Sequence, residues 1–216
     1  MIFSNRKEAA KELSKVLSEL IEDNENTIVI GIPRGGVILS YEIAKELGIK
    51  FSIVVVKKIP SPHDPELGIG AIAQDGTIVI NDDLVLELGV GKLYIDEVVK
   101  RLKKEINKRL EFYGIEKSNL KKMKGKNVII VDDGIATGAT MEAAIRAIKK
   151  NKPRKIIVAT PVAQKDVLEK LSKLVDKIVC INEVEMLGAV GMFYIDFAQV
   201  DDEEVKKLIE SELFFG

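Results

Sequence analysis

The chain has 216 residues, of which 46% are hydrophobic and 31% charged, with 33 Lys+Arg set against 34 Asp+Glu. That length suits one domain around a single core, and the composition excludes a disordered or collagen-like chain. No apolar run approaches the roughly 18–20 residues that cross a bilayer, and the single cysteine, Cys180, excludes an internal disulfide framework or a Cys-rich zinc site. The N-terminal MIFSNRKEAAKEL lacks a secretory apolar region, so the expectation is a water-soluble cytoplasmic α/β protein without a membrane segment.

In chain order, residues 5–21 read as an amphipathic helix opened by an Asn5–Glu8 capping arrangement. TIVIGI at 27–32 has the short apolar form of a buried strand, and the breaker Pro33-Arg34-Gly35-Gly36 follows it. A helix over 37–47 stops at Gly48, and a strand is expected at 52–57. The next stretch, KIPSPHDPELGIGAIAQDGTIVIND, is rich in proline and glycine, with Asp75-Gly76 as a hairpin signal. A charged helix over 92–113 precedes a strand at 127–131, a helix at 137–150, a strand at 155–159, a helix at 165–174 and a strand at 177–181. The tail, 182–216, begins irregularly and ends in a short acidic helix. Residues 100–126 carry eleven Lys or Arg against three Glu. Without a nucleic-acid-binding signature, that run reads as the solvated face of the long helix and not as a nucleic-acid footprint.

Consecutive strand–helix units imply a doubly wound, mainly parallel sheet flanked by helices. Apolar strands without alternation suit a sheet covered on both faces. In such sheets ligands bind beyond the carboxyl ends of the strands, which directs attention to 31–36, to Lys57 onward and to Asp132 onward.

The most informative segment is VIIVDDGIATGAT, 128–140. Four aliphatic residues form a buried strand, two acids emerge at its end, and a turn of small residues opens a helix. Unpaired N–H groups and the positive dipole end of a helix N-terminus receive a phosphate well. Gly134 and Gly138 allow close approach of an anion, and the Thr137 and Thr140 hydroxyls add donors. The acids Asp132 and Asp133 would repel that phosphate, so they need another partner: the vicinal hydroxyls of a sugar, or a hydrated magnesium ion.

This segment resembles the signature of the type I phosphoribosyltransferases, which bind 5-phosphoribosyl-1-pyrophosphate (PRPP). One position departs from the family pattern, because Gly134 stands where an aliphatic residue is usual; a freer loop is expected there. The resemblance implies a core over about 26–181 and a hood built from 1–25 and 182–216, together one domain. It implies that Gly134, Ile135, Ala136, Thr137, Gly138, Ala139 and Thr140 cradle the 5′-phosphate. Arg34, Gly35, Gly36 and Lys57 would hold pyrophosphate, and Asp132 and Asp133 the ribose hydroxyls, with magnesium entering alongside PRPP and no dedicated metal site on the protein.

The implied reaction moves the phosphoribosyl group to a nitrogenous base and releases pyrophosphate. Asp132, Asp133, Arg34 and Lys57 are then the catalytic group. The resemblance also implies a lid over 58–76 carrying Lys58 and the lone His63, and an acceptor pocket containing Phe193 and Tyr194. Ala136 occupies the place of an acid in the 6-oxopurine enzymes, which argues against a hypoxanthine–guanine acceptor. Homodimers are common in the family. The alternative is a regulator that senses PRPP or a nucleotide without turnover. A hydrolase on a related sheet lacks support, because the chain has neither a nucleophile elbow nor a histidine cluster.

Overall fold

A computed structural model describes residues 1–65 and 67–216. Five parallel strands form the main sheet: β1 (Thr27–Gly31), β2 (Lys50–Ile53), β6 (Asn127–Val131), β7 (Lys155–Gln164) and β8 (Lys177–Val184), in the order β2-β1-β6-β7-β8. A second, antiparallel sheet holds β3 (Val56–Pro60), β4 (Gly68–Ala73) and β5 (Ile78–Ile80). Helices α1 (Arg6–Ser18), α2 (Gly35–Leu47), α3 (Asp82–Glu87), α4 (Lys92–Tyr113), α5 (Ala139–Lys149), α6 (Lys165–Ser172) and α7 (Asp202–Ile209) complete the regular structure, with short 3-10 turns at Lys117–Met123 and Val190–Phe193. Among the described residues, no helix is long and apolar enough to cross a membrane.

The sheet is doubly wound as its sequence implied, and alternate strand residues feed opposite layers. Val29, Ile129, Val131 and Ile157 face the layer containing α1 and α2, whereas Ile28, Ile30, Val128, Ile130 and Val158 face that of α5 and α6. Each fully buried aliphatic side chain contributes about 1.5–3 kcal/mol. Because β1 has β2 on one side and β6 on the other, the strand order reverses at β1. The crevice between the carboxyl ends of β1 and β6 is therefore the topological switch point where ligands of open α/β sheets bind.

Two features differ from the sequence expectation. The apolar run 52–57 is divided between two sheets. Val54 N–H donates to the Gly31 carbonyl at 3.1 Å, and the next residue, Val55, bonds Gln74 in both directions through its N–H and C=O. The Gln74 amide also reaches Asn119 Oδ1 at 2.6 Å, so a buried polar side chain fixes the crossing. No local pattern announced this contact between residues 19 apart.

The second difference concerns the secondary structure of the stretch expected to form a lid. Its Asp75-Gly76 turn does join two strands, with Gly76 at φ 91°. Residues 58–60 and 68–73 of this stretch, however, are strand, and every residue of β4 is buried. The alanines of GIGAIA lie under α5, where Ala71 and Ala73 share a core with Ala143, Ala144 and Ala147, while a side chain at Gly70 would meet the neighbouring strand β5. Among the described residues, the rest of the stretch is the connection between β3 and β4 and the Asp75-Gly76 turn. In the connection Ser61 N–H donates to the Leu67 carbonyl and Ser61 Oγ to the Asp64 carbonyl, while residue 66 lies outside the described residues. His63 is exposed in that connection.

The chain ends lie against the main sheet. Phe3 pairs with Tyr194, and Phe214 with Phe51 on the outer strand β2, which covers an otherwise open edge. The tight sheet packing yields a test. A methyl group at Gly70 would lie 2.3 Å from the Val79 carbonyl oxygen of the neighbouring strand. Gly70→Ala is expected to lower stability by about 1–3 kcal/mol, read as a reduced urea midpoint at unchanged slope. An unaltered midpoint would contradict this register.

Candidate active site

The turn after β1 and the acid pair after β6 meet directly, and glycine makes the meeting possible. A Cβ at Gly36 would sit 2.6 Å from the Val131 carbonyl oxygen, and one at Gly35 would sit 1.8 Å from Asp133 Oδ2. Any side chain at Gly35 would displace that carboxylate. The Pro33–Arg34 peptide bond is cis, and Arg34 caps α2 without a side-chain hydrogen bond to it. The positive charge of Arg34 is felt by the Tyr113 phenol, which burial and a hydrogen bond to Asp202 push upward. Arg109 holds that same Asp202 at 3.2 Å.

Beyond the acids, Ile135 ties the loop to β7, with its N–H donating to the Val162 carbonyl at 2.9 Å. Thr160–Gln164 thus extends the strand further than its apolar run suggested, because the loop pairs beside it. Ala136 and Thr137 are exposed next to this anchor. Gly138 adopts φ 79° at the start of α5, and a Cβ there would also meet Val167 at 2.6 Å. The first-turn N–H groups of α5 have no intrahelical acceptor. A pocket of about 160 Å³ lies over them, lined by Asp132, residues 134–138, Thr140 and Met141. Donor-rich backbone at a helix start, open on one side, is chemically suited to an anion.

Adjacent carboxylates at a strand end are electrostatically unfavourable. Burial, and then the charge of Asp133, push Asp132 well above the usual carboxylate range. Burial also raises Asp133, opposed by Arg6. The Arg6 guanidinium donates from Nε and Nη2 to Asp133 Oδ2, both at 2.9 Å, while Nη1 reaches the Ala198 carbonyl at 2.8 Å. Arg6 was absent from the sequence-based site. The Asn5 cap locates it as the first residue of α1, but its acid partner lies 127 residues away, and no local spacing connects them.

Other candidates are distributed differently than expected. Lys57 lies in β3, and its ammonium is 3.1 Å from Glu105 of α4. Lys58 is exposed on the same strand. Tyr194 does not present its hydroxyl to a pocket: it is buried between Phe3 and Phe197, and its Oη donates to the Asp133 carbonyl at 2.7 Å. Phe193 is half-buried and packs against the core. Tyr194 thereby braces the site's wall, and the residues at 193–196 exchange backbone hydrogen bonds with residues 3–4. Cys180 is half-buried, and burial pushes its thiol up to about 12. The departure at Gly134 also has a structural counterpart: a Cβ there would lie 2.5 Å from both methyl groups of Val190. The missing aliphatic side chain is supplied from the far end of the chain.

Comparison with known proteins accords with this geometry. A family model described as phosphoribosyl transferase domain matches residues 2–198. A Mycobacterium tuberculosis protein provisionally named a phosphoribosyl transferase is 33% identical over 209 residues, 97% of this chain and 46% of its own length; the chain thus spans less than half of that relative. The crystal structure of TT1426 from Thermus thermophilus superposes with a TM-score of 0.76 at 33% identity, covering 97% of this chain and 98% of that one. A shorter similarity, 28% over 120 residues and 55% of this chain, links it to the transcriptional regulator GfcR of Methanococcus maripaludis, of which it covers 58%.

Two outcomes test the site's energetics. A raised carboxylate pKa contributes stability that is present below the unfolded-state value and lost as pH rises through the folded-state value. Asp132→Asn removes that loss, so the variant's melting temperature should exceed wild type at pH 8, with the gap closing toward pH 4. A gap independent of pH would contradict the assignment. Separately, Gly134→Val should cost about 1–3 kcal/mol through overlap with Val190. Val190→Ala should recover part of that cost in the double variant, as chemical denaturation would show.

Proposed function

Because this chain belongs to the phosphoribosyl transferase domain family, we propose that it transfers the 5-phosphoribosyl group of PRPP to a ring nitrogen of a base. The observation that carries this reading is the junction of three chemistries within one crevice. A helix-start cradle suits a phosphate, an acid pair suits a vicinal diol, and a glycine turn with Arg34 suits pyrophosphate. A ribose 5-phosphate activated by pyrophosphate presents those three groups in that order.

In the reaction, the bond between the ribose anomeric carbon and pyrophosphate breaks, and pyrophosphate leaves with the electron pair. The base nitrogen forms the new bond and its proton passes to solvent. Positive charge develops on the ribose as the leaving group departs. Asp132 and Asp133 hold the hydroxyls beside that charge, and backbone N–H groups with Arg34 balance the leaving anion. Lys57 would join them after parting from Glu105.

The donor set fits a metal shared with substrate. Among the described residues, no group of three His, Cys, Asp or Glu side chains is arranged to hold an ion, and Asp133 is already committed to Arg6. Magnesium needs six oxygens, so water and PRPP would provide most of them, with Asp132 as the available protein carboxylate. When bound, it would spread the charge of the pyrophosphate. Ala136 is exposed at the cradle and has no proton to exchange, which favours adenine, a pyrimidine or another base that needs no acid there.

A non-catalytic sensor is the second reading, favoured by the similarity of 120 residues to a transcriptional regulator. The basic run argues less for it: α4 buries Val98, Leu102, Ile106 and Leu110, and its lysines occupy the solvated side. Incubation with PRPP, magnesium and a panel of bases should release pyrophosphate with at least one base. Asp132→Asn/Asp133→Asn should reduce that release by at least about 100-fold, the scale of losing a transition-state electrostatic contact. PRPP binding without pyrophosphate release for any base would favour the sensor; absence of PRPP binding would overturn the transferase reading, and absence of binding of both PRPP and nucleotides would overturn the sensor as well.

A further inference from the structure

We propose that Arg6 is a positioning residue that holds Asp133 in the orientation needed to read a sugar hydroxyl, and so couples the N-terminal helix and the 197–198 segment to ribose recognition. This rests on the reading of the acid pair as a diol site. Arg6 is held at both its root and its tip. At the root, the Asn5 side chain accepts from the N–H groups of Lys7 and Glu8, which fixes Arg6 as the first helical residue. The preceding residues are tied across to the hood: Phe3 N–H donates to the Phe193 carbonyl, and Asp196 N–H to the Ser4 carbonyl, at 2.8 and 2.9 Å.

At the tip, the guanidinium centre lies 3.9 Å from the centroid of Phe197, and Nη1 is used by the Ala198 carbonyl. The remaining Nε and Nη2 donors both go to one oxygen, Oδ2 of Asp133. The side chain is only 11% exposed. On its other flank that oxygen abuts Gly35, whose absent Cβ would be 1.8 Å from it and 3.0 Å from Arg6 Nε. The carboxylate is thus wedged between a glycine backbone and a planar cation. With Oδ2 occupied, a sugar hydroxyl is met by Oδ1 at a position set by Arg6.

This arrangement has a chemical consequence. Arg6 partly neutralises Asp133, which weakens any electrostatic support that acid lends to a ribosyl cation. Its benefit therefore lies in ordering the ground-state diol contact, not in lowering the barrier, and it should register in affinity. Lysine cannot substitute: it keeps the charge but lacks the planar fork that serves Asp133, Ala198 and the Phe197 ring together.

The test is calorimetric titration of wild type, Arg6→Lys and Arg6→Gln with ribose 5-phosphate and with its 2,3-dideoxy analogue, which lacks the diol. Wild type should bind the diol ligand more tightly. Both variants should lose about tenfold in affinity for ribose 5-phosphate, the scale of one charge-assisted hydrogen bond. Affinity for the dideoxy analogue should stay within about twofold, since the coupling requires the hydroxyls. Equal losses for the two ligands, or none for either, would overturn the proposal. Failure of both variants to fold would assign Arg6 to stability alone and overturn it as well. A wild type that binds neither ligand, or both equally, would instead remove the diol reading itself, and that result is seen without any variant.

Discussion

Two neighbouring carboxylates at the end of a buried strand repel each other and lose solvation, and much of the surrounding structure answers that penalty. Asp132 accepts the N–H of Asp133 at 2.9 Å, a local contact that turns one acid toward the backbone of the other. Asp133 receives a guanidinium, and its carbonyl receives the Tyr194 hydroxyl. Without the Arg6 cation, a mostly buried charge would stand without an opposite partner, an arrangement that costs proteins several kcal/mol. The chain therefore retains an unfavourable pair where a binding site requires one, and compensates from elements distant in sequence.

Close approach is the second requirement of the same corner. Gly35 and Gly36 bring the turn after β1 against the end of β6, and Gly134 admits Val190 to the other side of the acid loop. These glycines are used for lack of a side chain, not for unusual backbone angles; only Gly138, at φ 79°, adds a left-handed conformation. The result is a crevice whose floor is the parallel sheet and whose wall is formed by both chain ends. Movement of that wall would be felt directly at Asp133 and Gly134.

The second sheet has a different physical role. Its β3 strand carries Lys57 beyond the edge of the main sheet to Glu105 on α4, and β4 is packed under α5. Proline and glycine in this region were readable as an interrupted loop, yet close packing against a helix or a neighbouring strand selects small residues as strongly as a turn does. Local composition cannot separate these two causes, because both reward the absence of a side chain.

The alternation of strands and helices, several element boundaries and the anion-suited turn after β6 follow from the sequence without any tertiary information. These depend on interactions within a few residues: apolar periodicity, capping and the backbone freedom of glycine. Helix α4 and strand β6 lie where the pattern placed them, at Lys92–Tyr113 and Asn127–Val131. The folded chain alone decides that Arg6 meets Asp133, that Tyr194 braces the acid loop, and that Val190 fills the space beside Gly134. It also decides that an apolar run divides between two sheets at Val54 and Val55. Each of these depends on contacts between residues far apart in sequence. A side chain's chemistry shows that it needs a partner, but only the folded path of the chain selects which one it meets.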